Sequence, residues 1–181
     1  MARIKPVAVD DAPADLKAAF HRHVTDYPGS RITNMKATLG HSPLAFDVYM
    51  QWYPLYEQIK TFLGNRRAYL FSFSISQGSN CPLCSTFFRK IIMENGESPD
   101  QLQLTEEEAL LLEFGSQIAQ HQGRVPDTLY GNIREKYTTE QIILLVAFAG
   151  QMVATNVFNN ALDVDIDEYL TPYLPLTNAH A

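Results

Sequence analysis

"RRAYLFSFSISQGSNCPLC" spans residues 66–84 and can be read in two ways. Its "LFSFSIS" part alternates apolar residues with Ser, as a half-buried strand does. A strand leading into a Cys-x-x-Cys pair would suggest a βαβ redox fold of the thioredoxin kind. That fold needs several strands, and no other part of the chain alternates in this way. The segment is therefore read as a helix that ends near Gly78, and the chain as all-α.

Working outward, the punctuation is helical throughout. A helix is predicted from about Ala14 to His23, stopped by "YPGS". Ser42-Pro43 is a cap followed by proline at the first helical position. It opens the apolar-aromatic run "LAFDVYMQWYPLYEQIKTFL", which Pro54 should kink or split and Gly64-Asn65 should end. Asn80-Cys81-Pro82 is another helix start, with Gly96 as its stop. Thr105 with Glu108, and Thr138 with Gln141, have capping-box spacing. They open helices that run to about Gly123 and from about 140 to 162, with a shorter helix over "PDTLYGNIREKY" between them. A short turn of helix near 165–170 and an extended end complete an all-α bundle of about seven or eight helices.

Composition narrows the function. The 181 residues suit one domain, and 46% of them are apolar, enough for a real core. The net charge is −6, and no basic run exceeds Arg66-Arg67 or Arg89-Lys90, which argues against nucleic acid as a partner. The N-terminus lacks the apolar core of a signal peptide. "IILLVAFAG" (142–150) is soon followed by Gln151 and several Asn, so it reads as a buried helix and no membrane association is expected. The expected location is the cytoplasm. There, a lone cysteine pair is more often catalytic, redox-active or metal-binding than a structural staple.

Cys81 and Cys84 are the only cysteines. A helix N-terminus offers free N–H groups and partial positive charge, which favour a thiolate. Pro82 places Cys81 at the cap, and Cys84 follows one turn along on nearly the same face. The two sulfurs can therefore bridge with little backbone movement, and one can attack while the other resolves. A metal site would need about four ligands. None of the five His (21, 23, 41, 121 and 180) is spaced to complete one, so no metal and no organic cofactor is expected. His21 and His23 read as a solvated helix face. An inert buried pair of cysteines remains the bland alternative.

The stretch "NRRAYLFSFSISQGSNCPLCSTFFRKIIMENGE" resembles the core motif of the carboxymuconolactone decarboxylase family, in its alkylhydroperoxidase D-like branch. "EQIILLVAFAGQMVATNVFNNAL" is similar to that family's last long helix. The resemblance covers roughly residues 40–165. It implies a single domain over 1–181, with an N-terminal helical extension (about 1–40) and a short C-terminal tail (about 165–181). It also implies a homo-oligomer, trimer or hexamer, and a Cys81–Cys84 dithiol that acts on a peroxide or disulfide substrate and draws electrons from an external dithiol. In that family the second cysteine is usually the one that meets peroxide, aided by a Glu and two His. The matching positions here are Tyr69, Leu83 and Phe88, none of them a base near neutral pH. Helix-terminus electrostatics favour Cys81 as the first nucleophile; the resemblance favours Cys84.

Other polar groups are candidates to support the cysteines. Tyr69, Ser72, Ser76 and Gln77 precede them on one helix, with capping or core packing as the plain alternative. Asn156 lies in the last long helix, beside a polar stripe of Gln151, Thr155 and Asn159 that could line a pocket or serve packing. Arg66 and Arg67 read as salt-bridged or solvated. The aromatic run Phe46, Tyr49, Trp52, Tyr53 and Tyr56 reads as core or interface. Two functions stand from these residues: a thiol–disulfide oxidoreductase with peroxidase activity, or a non-enzymatic oligomer that binds a small molecule or senses redox state. A third reading uses Tyr69 in place of the missing acid.

Overall fold

The computed structural model describes residues 2–175. Among them are eight α-helices: α1 (Ala14–Asp26), α2 (Asn34–Leu39), α3 (Pro43–Met50), α4 (Trp52–Gly78), α5 (Pro82–Glu94), α6 (Glu106–Gln120), α7 (Asp127–Lys136) and α8 (Thr139–Ala161). Two 3-10 turns, Val9–Asp11 and Glu168–Tyr173, complete the regular elements, and no strand occurs among the described residues. The expected extended end falls largely on 176–181, outside them.

The second half of α4 is the axis of the bundle, packed on α5, α6 and α8. Every residue from Ala68 to Ser76 is buried, so the alternation in "LFSFSIS" does not mark an inner and an outer face. Helix is possible there because each Ser satisfies its own hydroxyl. Ser72 Oγ donates to Ala68 O (2.8 Å), Ser74 Oγ to Phe71 O (2.9 Å) and Ser76 Oγ to Ser72 O (2.9 Å). No polar group is left needing a strand partner or water. Around this axis Phe71 stacks on Phe114 of α6 and meets Phe148 of α8. Gly115 lets α6 approach closely; a Cβ there would lie 2.6 Å from Ser74 Oγ.

Both predicted capping boxes form, at Thr105–Glu108 and Thr138–Gln141. The apolar-aromatic run divides at Gln51, not at Pro54. Pro54 is the third residue of α4, inside the first turn, where its missing N–H has no intrahelical partner to lose. The break at Gly64 is real: φ is 75° and ψ 167°, a conformation essentially reserved for glycine.

A second apolar cluster joins α1, α2 and α3 through Leu16, Phe20, Leu39 and Phe46. His23 belongs beside it. It is buried, edge-on to Phe46 and Tyr53, so the expected solvated face at His21 and His23 holds for His21 alone. The six-residue α2 has no counterpart in the sequence expectations. By length and composition α8 could cross a membrane, but Ile142, Leu145, Phe148, Ala149 and Met152 already form part of the core. Its opposite side leaves Ile143, Val146 and Val157 exposed.

Two glycines give opposite stability expectations. Gly64→Ala should cost about 1–3 kcal/mol, because the residue must keep a conformation that a Cβ opposes. Gly131→Ala, within α7 and with open space at its Cβ, should add roughly 0.5–1 kcal/mol. Urea midpoints at one protein concentration check both.

Candidate functional site

The chain reverses between α4 and α5 through Ser79 and Asn80, with Asn80 in the left-handed region at φ 48°. Cys81 N–H donates to Ser76 O (3.1 Å), and Asn160 Nδ2 of α8 donates to both Ser79 O (3.0 Å) and Asn80 O (3.2 Å). The reversal is thus held from inside α4 and from α8. Cys81 emerges as the N-cap of α5, with Pro82 following, and its sulfur accepts the Cys84 N–H (3.4 Å). Asn159 Nδ2 donates to Cys84 Sγ (3.2 Å). Both cysteines are free thiols.

These contacts divide the pair. Cys81 is held below the ordinary thiol range by hydrogen bonds from the Cys84 side chain and from N–H groups of the α5 start. Cys84 is held above it, because its S–H is donated to Cys81 and because it is buried beside that negative charge. Of the two, Cys81 is therefore the sulfur that ionises more readily. Access runs the other way: Cys84 lines a cavity of about 260 Å³, whereas Cys81, 1% exposed, is not on its wall.

The cavity lies between α5, α8, the α3–α4 junction, the α1–α2 segment and the 3-10 turn at 168–173. Tyr49, Trp52, Tyr53, Phe87, Phe88 and Tyr169 give it aromatic walls. Leu83 and Phe88 stand on that wall too. The two positions that hold histidines in the family pattern therefore supply apolar surface here, not protons. The third relay position is turned elsewhere. Tyr69 donates to Glu97 Oε1 (2.8 Å), and burial with this bond pushes its pKa up to about 12. Glu97 and Glu108 both receive Arg66, while Arg67 pairs with Glu107, so both arginines tie α4 to the segment leading into α6 and to its first turn.

Of the supporting residues expected from sequence, the structure brings few to the cysteines. Ser72 and Ser76 spend their hydroxyls within α4, and Ser76 meets Cys81 only through its carbonyl. Gln77 is exposed, and no side-chain bond joins it to the pair. Asn156 is fully buried, and neither of its amide atoms has a hydrogen-bond partner among the described residues. The thiol partner is its neighbour Asn159, legible only as one member of a polar stripe. Three of the five residues in the aromatic run line the cavity, a role beyond the expected core packing. Lys36 and Asp167 line it as well and were not anticipated. Among the described residues no group of three or more His, Cys, Asp or Glu is placed to hold a metal ion.

No protein-family model matches the chain, and neither does any curated protein. Solved structures do. A complex of the debrominase Bmp8, as a cysteine-to-alanine variant, with 2,3,4-tribromopyrrole superposes with a TM-score of 0.76 at 17% identity, over 94% of each chain. The AhpD-core structure of an uncharacterised peroxidase-related protein from Ralstonia eutropha JMP134 gives 0.66 at 14% identity, over 93% of this chain and 94% of that one. This is the alkylhydroperoxidase AhpD-like fold. A protein of unknown function from Agrobacterium tumefaciens shares it, with a TM-score of 0.57 at 21% identity over 70% of this chain and 92% of its own. Within the AhpD-like fold, the present chain keeps two cysteines at a helix start and surrounds the second with aromatic walls.

The thiol assignment has a direct check. Asn159→Leu removes the donor to Cys84 and a hydrogen bond that supports the thiolate pair. Alkylation of the dithiol by iodoacetamide at pH 7 should slow by about tenfold, the effect of one hydrogen bond to a charged group. An unchanged rate–pH profile would count against Asn159 as part of the site.

Proposed function

We propose that this protein is a dithiol reductase: Cys81 and Cys84 deliver two electrons to an apolar small molecule held in the adjoining cavity. The feature that carries the reading is the division of the pair, with the more readily ionised sulfur at Cys81 and the cavity surface on Cys84. A peroxide is the first acceptor considered. Cys84 passes its proton to the Cys81 thiolate and attacks a peroxide oxygen. The O–O bond breaks, the leaving alkoxide takes the proton now on Cys81 and departs as the alcohol, and Cys84 becomes a sulfenic acid. The Cys81 thiolate then attacks Cys84 sulfur, the S–O bond breaks, and the departing hydroxide takes a proton from solvent to give water. Two thiols and one peroxide give one disulfide, one alcohol and one water. An external dithiol restores the pair by exchange, as in a reducing cytoplasm. The separate Glu and His relay is not needed for the first proton transfer, because the acceptor is the neighbouring sulfur.

A second acceptor is favoured by the aromatic walls and by the similarity to Bmp8, named as a debrominase. Here two thiols and one aryl bromide give one disulfide, one arene, bromide and a proton. The same pair supplies the electrons in either case. A purely binding role on the same scaffold is the competing proposal, and turnover separates them. The third reading, Tyr69 as the acid, fits poorly with a hydroxyl committed to Glu97.

We also propose a homo-oligomer. Ile143, Val146, Gly150 and Val157 fall on one side of α8, exposed and without charge. Such a stripe on a core helix suits the same stripe of another copy.

With cumene hydroperoxide and dithiothreitol, the wild type should turn over and Cys84→Ser should fall to background. Without dithiothreitol, Cys81→Ser should react once, more slowly for want of its proton acceptor, and stop at a sulfenic acid trapped by dimedone. Turnover that survives both substitutions would remove the cysteines from the mechanism. Separately, Val146→Glu should lower the mass measured by light scattering to that of one chain; a wild type already monomeric would end the oligomer proposal.

A further inference from the structure

The cavity that holds Cys84 has a charged end. Arg31, Lys36 and Lys90 line it against a single carboxylate, Asp167, in a chain whose net charge is −6. Lys90 is paired with Glu94. Lys36 is different. It is 4% exposed, and its Nζ donates to Arg31 O (2.8 Å) and Tyr53 Oη (2.7 Å), both neutral acceptors. Among the described residues no carboxylate forms an ion pair with it. An ammonium has three N–H donors, so one remains. A buried charge without a counter-ion at contact distance is costly. That cost falls when a ligand brings the counter-ion.

The neighbours do not remove the need. His23, Tyr27 and Tyr53 pack together, with Lys36 Nζ 5.0 Å from the Tyr53 ring centroid, and Tyr169 lines the cavity with Arg31 over its ring. Asp167 Oδ1 accepts the Asn34 N–H (2.8 Å), and its Oδ2 is buried without a hydrogen-bond partner among the described residues. Burial of Lys36 pushes its pKa down to about 7, with Asp167 opposing the shift only in part. Apart from Ser30, Thr33, Thr155 and Cys84, the rest of the lining is apolar or aromatic. One end of the cavity thus prefers negative charge, and the remainder prefers a flat apolar body.

We propose that the cavity takes an aromatic acid, a phenol or N–H acid bound as its anion, with the anionic atom on Lys36 Nζ and the ring between the aromatic walls, facing Cys84. This deepens the reductase reading, since it names the substrate class of the same cavity, but it is tested by binding alone. Trp52 is the sole tryptophan of the chain and lines the cavity, so it reports occupancy directly.

The probe is 2,4,6-tribromophenol at pH 7, where it is largely ionised and Lys36 keeps much of its charge, with its methyl ether, 2,4,6-tribromoanisole, as the neutral isostere. The phenolate should quench Trp52 saturably and bind roughly tenfold or more tighter than the ether, the scale of a charge-assisted hydrogen bond. Lys36→Met should abolish that preference and leave ether binding in place; Lys36→Arg should keep much of it. Near-UV circular dichroism confirms that each variant is folded. Equal binding of phenolate and ether by the wild type would overturn the proposal without any variant. A preference that persists in folded Lys36→Met would overturn the role of Lys36. Phenolate binding without reductase turnover would sustain this inference and sink the reductase; turnover without phenolate preference would do the reverse.

Discussion

The reversal at Ser79 and Asn80 is the constraint on which the site depends. α4 must stop, and α5 must start, within three residues. A left-handed Asn80, the Ser76 carbonyl and the Asn160 amide together fix where the new helix begins. Once that is set, Cys81 can only be the cap and Cys84 can only lie one turn along, beside Asn159. α8 supplies both the clamp on the turn, through Asn160, and the donor to the thiol, through Asn159. Adjacent residues of one helix thus position the backbone and the chemistry of the pair.

Much of this could be read from the sequence because it is local. A cap is a relation between residues three apart, so Cys81-Pro82, Ser42-Pro43, Thr105 with Glu108 and Thr138 with Gln141 all announce themselves. The seryl alternation in α4 was the misleading signal, and its explanation is also local: three hydroxyls returned to their own helix. The cavity was not legible. It needs Lys36 from a six-residue helix, Trp52 from the α3–α4 junction, Phe88 from α5 and Asp167 from near the end of the chain. Nothing in a linear pattern says that these meet. Tyr69 illustrates the converse. Its position suggested a part in the chemistry, but Glu97, 28 residues away in sequence, takes its hydroxyl.

The two replaced histidine positions make better sense after the cavity is seen. At Leu83 and Phe88 a base would have to be hydrated or paired; an apolar side chain there closes the wall instead. In the proposed mechanism the first proton moves inside the dithiol, between a sulfur whose pKa is lowered and one whose pKa is raised. That transfer needs no third group.

The cap position of Cys81 also bears on energetics of electron flow. A helix start that stabilises a thiolate stabilises the reduced form of the pair, since the disulfide carries no charge for the N–H groups to hold. Whatever favours the reduced form raises the reduction potential. Such a couple accepts electrons readily from weak donors and parts with them only to strong acceptors. For the proposed reductase, the same hydrogen bonds that begin α5 would therefore restrict which oxidants it could serve.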